Sequence, residues 1–67
     1  MFFNYYHRLA QRILTRYGSS GAMTDARART LIGKAMEDGL FADGDLGGKG
    51  YDKMMDALFE ARGARRR

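Results

Sequence analysis

Cysteine and proline are both absent from this 67-residue chain, and histidine occurs once. Without cysteine there is no disulfide and no thiolate metal ligand, and His7 alone cannot complete a zinc site of the Cys/His type. No metal and no cofactor is expected. No apolar run approaches the roughly 20 residues that cross a bilayer, and the N-terminus lacks the apolar segment and small-residue cleavage site of a secretory signal. A soluble cytoplasmic protein with no membrane span is the expectation. Catalytic machinery is equally scarce. One histidine sits near a helix start, and the carboxylates fall on one helical stripe or in one acidic stretch, so no catalytic residues and no enzyme activity are expected.

Missing proline removes the strongest helix breaker, and nine glycines become the punctuation. Apolar residues at Phe2, Phe3, Tyr6, Leu9, Ala10, Ile13, Leu14 and Tyr17 recur with the 3.6-residue period, which predicts a helix over Phe2–Tyr17. "GSSGAM" stops it. Thr24 is a good N-cap and Asp25 suits the positive end of the next dipole, so a second helix is expected from about Asp25 to Asp38, burying Ala28, Leu31, Ile32, Ala35 and Met36. Gly39 stands where a left-handed cap is wanted, with Leu40 and Phe41 folding back on the last turn. "ADGDLGGKG" suggests a flexible glycine-rich loop. A third helix is expected from about Tyr51 to Arg62, burying Tyr51, Met54, Leu58 and Ala61, with Gly63 closing it. The predicted fold is all-α, a small three-helix bundle with a glycine-rich loop between helices two and three. Residues 1–63 form the single domain and 64–67 a basic tail. At this length only about 60% of the unfolded surface is buried, so reinforcement by a partner, a second copy included, is a reasonable expectation.

Charge is laid out in blocks. Residues 1–34 carry Arg8, Arg12, Arg16, Arg27, Arg29 and Lys34 against Asp25, a net of +5. Residues 35–61 carry Glu37, Asp38, Asp43, Asp45, Asp52, Asp56 and Glu60 against Lys49 and Lys53, a net of −5. Arg62, Arg65, Arg66 and Arg67 follow, so the overall +4 hides a basic, acidic, basic order.

On the first helix Arg8, Arg12 and Arg16 occupy successive turns, with Tyr5 at the edge of the apolar face. Guanidinium groups about one turn apart can grip phosphates or carboxylates bidentately, and tyrosine can stack on a base or on arginine. The competing reading is that Asp52, Asp56 and Glu60, spaced by four on the third helix, neutralise these arginines within one molecule or across a homodimer. Met55 and Phe59 widen the apolar arc of the third helix into a candidate contact surface for a protein partner, against the alternative that they finish the core. Ala26, Thr30 and Gly33 make a small-residue strip on the second helix, where close approach of another backbone is one reason for the glycine.

Sharper motifs fail on inspection. "DGDLGGKGYDKM" has Asp43 and Asp45 at the first and third positions of an EF-hand loop, but Gly47 and Met54 stand where further ligands belong. "GDLGGKG" has the wrong spacing for a P-loop. Links of about six and twelve residues are poor matches to the tight turn of a helix-turn-helix. The acid-free first helix has the composition of a membrane-surface helix or transit peptide, yet its apolar face is about a third of the only core available, so it is assigned to the bundle.

These features favour a non-enzymatic binding module that occupies a surface of a larger protein partner, of accessory, regulatory or inhibitor type. The alternative is a nucleic-acid-binding protein. Candidate partner- or phosphate-binding residues are Tyr5, Arg8, Arg12, Arg16, Met55, Phe59, Arg65, Arg66 and Arg67.

Overall fold

A computed structural model of the chain describes residues 2–18 and 21–64, and side chains outside 2–4, 43–45 and 47. Of the expected tail 64–67, Ala64 packs against the core, while Arg65, Arg66 and Arg67 lie outside the described residues, as do the side chains of Phe2 and Phe3. Among the described residues the fold is all-helical, with α1 Phe2–Tyr17, α2 Asp25–Glu37 and α3 Asp43–Ala61. It is a small three-helix bundle. The radius of gyration, 10.7 Å, matches the roughly 11 Å of a folded chain of this length.

α1 forms where the period predicts, burying Leu9, Ala10, Ile13 and Leu14 on one side. Gly18, at φ +88°, ends it with its N–H bonded to the Leu14 carbonyl at 2.9 Å. Thr24 caps α2 in extended backbone, its hydroxyl accepting from the Arg27 N–H at 3.2 Å. At the other end the Leu40 N–H bonds the Ala35 carbonyl at 2.9 Å and the Gly39 N–H bonds that of Met36 at 3.1 Å. This paired arrangement needs a left-handed residue, and Gly39 supplies it at φ +80°. Asp38 is therefore the cap and not the last helical residue. α3 ends in the same way at Gly63, where Ala64 reaches back to Phe59.

One expectation is overturned. The glycine-rich stretch is not a loop: α3 begins at Asp43, eight residues before Tyr51, and the link from α2 is 38–42. The reason is burial. Leu46, Gly50, Met54 and Leu58 are spaced by four and all buried, so the apolar line of the third helix extends two turns upstream. Packing along that line outweighs glycine's intrinsic penalty of about 1 kcal/mol per residue in a helix.

α3 packs against both other helices, which is why its apolar arc is wide. Met55 is 1% exposed and Phe59 6%. They belong to the core, and the expectation that they form a partner surface is corrected accordingly. The Gly33 expectation changes too. A methyl group placed there meets nothing within 4 Å, so no backbone presses on it.

Hydrogen bonds between helices set the topology. Tyr17 at the end of α1 donates to Asp38 and lies 3.3 Å from the Lys34 carbonyl, so the C-terminal ends of α1 and α2 meet. α3 starts beside that end, and Glu60 near its far end reaches His7 on the early part of α1. α3 thus runs antiparallel to α1. Arg62, which caps α3, donates to the Gly21 carbonyl at 2.7 Å and fastens the link between α1 and α2. No helix among the described residues is long and apolar enough to cross a membrane.

Candidate contact face on the first helix

Helical spacing alone sorts α1 into two faces. With Leu9, Ile13 and Leu14 inside, the outer arc carries Tyr5, Arg8, Gln11, Arg12, Thr15 and Arg16, all exposed. No acidic residue occurs in the helix. Tyr5 is 46% exposed, and its ring stands edge-on to Tyr6, with centroids 5.1 Å apart and planes at 80°. Tyr6 is packed against the core, so this contact orients Tyr5 without burying it.

The arginines divide by what they meet. Arg16 Nε lies 3.7 Å from Asp38 Oδ2, and its guanidinium carbon is 5.8 Å from the centre of the Tyr17 ring. The Tyr17 hydroxyl donates to the same carboxylate oxygen at 2.5 Å. Partial burial of the phenol, reinforced by this bond to Asp38, pushes the Tyr17 pKa above its ordinary value of 10.0, although Arg16 pulls the other way. Arg8 and Arg12 have no acidic partner among the described residues.

Expected neutralisation by the α3 stripe does not take place within the molecule. Glu60 meets His7, Oε1 to Nε2 at 3.0 Å, instead of an arginine. Asp52 and Asp56 hold interactions of their own and leave Arg8 and Arg12 unengaged. The physical cause is direction: His7 is the α1 side chain that reaches Glu60 of α3, and Arg16, nine residues on and half a turn around the helix, reaches Asp38 after α2 instead.

Between α1 and the turn after α2 lies a shallow groove of about 440 Å³ lined by Gln11, Arg12, Thr15, Arg16 and Leu40. It offers guanidinium donors, an amide and a hydroxyl around one half-buried aliphatic side chain. Sequence reasoning found the arginines and missed the groove, because Leu40 joins α1 only through the tertiary fold. His7 and Asp38 were missed as partners for the same reason. Elsewhere, Arg27 Nε and Arg62 Nη1 are buried without hydrogen-bond partners. No cluster of three or more metal-ligating side chains occurs among the described residues. Asp43 and Asp45 stand in the first turn of a helix, which is not a calcium-loop backbone.

Fold and face together define a small all-α bundle with a basic, acid-free outer surface on its first helix. No protein-family model, no curated protein and no solved structure matches the chain.

Proposed function

We propose that this protein is a small non-enzymatic binding module of accessory or regulatory type, which docks the outer face of α1 on an acidic patch of a larger protein. The observation that carries this reading is the state of Arg8 and Arg12: exposed, one turn apart, and without an acidic partner among the described residues. Each guanidinium has five N–H donors in a rigid fork that suits a carboxylate. In water such a pair contributes under about 1 kcal/mol; at an interface its desolvation opposes its attraction, so its main effects are faster encounter and fixed orientation. Gln11 and Thr15 add hydrogen bonds, and Leu40 gives an aliphatic spot at the end of the groove.

A second reading, nucleic-acid binding, draws on one observation: Tyr5 presents an exposed ring on the same face as Arg8, where a base can stack. One experiment separates the two. Tagged protein is recovered from its native source with and without nuclease, beside an Arg8→Glu/Arg12→Glu variant of unchanged helicity. A specific protein that survives nuclease and is lost with the variant is the expected result. Nuclease-sensitive nucleic acid in its place would replace the first reading by the second. Recovery indifferent to both arginines overturns the α1 face altogether.

A further inference from the structure

We infer that the groove between α1 and the turn after α2 receives a short acidic segment of the partner protein that carries an aliphatic side chain, its carboxylates held by Arg12 and Arg16 and its aliphatic group seated on Leu40. The inference rests on the reading of α1 as a contact face and names the chemistry of what enters it.

Most of the groove is fixed by the fold before anything binds. Leu40 follows the left-handed Gly39, and its own N–H ties it back to α2 through the Ala35 carbonyl at 2.9 Å. Its half-buried side chain packs against the core on one side and lines the groove on the other. Arg16 faces Asp38, Nε to Oδ2 at 3.7 Å, and Asp38 in turn accepts from Tyr17. This contact uses Nε, so the terminal N–H groups of Arg16 remain as donors. Arg12, about one turn earlier, is exposed and has no acidic partner among the described residues. Gln11 and Thr15 are exposed beside it and offer an amide and a hydroxyl to the backbone of an entering chain. Groups already held in place lose little freedom when a ligand arrives, so less of the contact energy is spent on ordering them.

Charge, shape and polarity together select the occupant. The guanidinium groups of Arg12 and Arg16 outweigh the single carboxylate of Asp38, so the groove attracts anions, and their planar forks suit carboxylates. Its volume of about 440 Å³ is that of a small ligand site, and its concave form suits a few residues of a protruding segment better than a flat patch. Leu40 is the apolar member of the lining. An aliphatic group laid on it removes both surfaces from water, whereas a purely charged occupant leaves that contact unused. A nucleic-acid backbone supplies charge without an aliphatic group and therefore matches only part of the site.

The probe is a synthetic peptide in which one leucine is flanked on both sides by glutamates, titrated into the isotope-labelled full chain at about 50 mM salt, where screening is weak. Backbone amide shifts in NMR spectra are expected to saturate and to centre on Gln11, Arg12, Thr15, Arg16 and Leu40. Changing the peptide's glutamates to glutamine should weaken binding by at least about tenfold, and changing its leucine to serine by at least about threefold. Thr15→Glu places a carboxylate on the groove wall at an exposed helical position, where glutamate is the better helix former. It should weaken the peptide by at least about threefold with helicity unchanged. No saturation at about 1 mM peptide overturns the inference, as do shifts centred elsewhere, equal binding of the serine peptide, or indifference to Thr15→Glu. A single-stranded oligonucleotide that displaces the peptide from these residues at lower concentration overturns it in favour of nucleic acid. Failure here is distinct from failure of the α1 face. If the peptide does not bind while capture of a protein still depends on Arg8 and Arg12, the groove alone is removed; if the peptide binds as expected and no protein is captured, the groove stands and the larger partner is removed.

Discussion

Asp38 is the residue that most changes meaning between sequence and structure. In the chain it is the last polar residue before a glycine. In the fold it accepts from Tyr17 and faces Arg16, joining the ends of α1 and α2. Because the pKa of Tyr17 is raised in the folded state, the stabilisation tied to its protonated phenol is fully present below about pH 10, the unfolded value, and is lost as pH rises through the folded value. Wild type should therefore exceed Tyr17→Phe in stability at neutral pH, and the advantage should shrink at alkaline pH. Urea unfolding from about pH 8 to about pH 11 reads this directly. An advantage that stays constant over that range means that the hydroxyl does not act through its bond to Asp38. Nothing local marks this pair, since 21 residues separate its members.

At the scale of the element, the helix ends were legible to within about a residue wherever a cap carried the signal. Thr24, Gly39 and Gly63 act within a turn of their own positions, and each does what its chemistry dictates. The start of α3 was not legible, because three glycines in the stretch 47–50 argue locally for a loop while the burial of Leu46 and Gly50 argues for a helix only once α1 and α2 are in place. Gly33 and Gly48 are helical glycines around which an added methyl group meets nothing within 4 Å. Gly33→Ala and Gly48→Ala should each stabilise the fold by about 0.5 to 1 kcal/mol by lowering the entropy of the unfolded chain. Chemical denaturation of the two variants checks it. A loss of stability at Gly48 would mean that this segment requires glycine's freedom and does not hold as a helix in solution.

For the molecule as a whole, the division between core and surface decides which residues remain available for a partner. Phe59 is 6% exposed on a helix that packs against both others. Phe59→Ala should cost about 3 to 5 kcal/mol, a large part of the 5 to 15 kcal/mol that holds a domain together. Circular dichroism during urea titration should register that loss, and any binding defect should track the unfolded fraction. Arg8→Glu/Arg12→Glu should do the reverse, leaving stability nearly unchanged while losing the captured protein partner. A Phe59→Ala protein that stays fully folded yet loses its partner would return that side chain to the surface.

What the sequence by itself determined is what acts over a few residues: the number of helices, the caps at Thr24, Gly39 and Gly63, the apolar stripe of α1 and the four-residue spacing of its arginines. Only the tertiary structure decided which charges meet. His7 finds Glu60 across 53 residues and Arg62 finds Gly21 across 41. The placement of Met55 and Phe59 in the core, and of Arg8 and Arg12 outside it without an acidic partner among the described residues, was decided there as well. The reason is physical: periodicity states which face of a helix is apolar, but the neighbours that face it depend on how three helices pack at once.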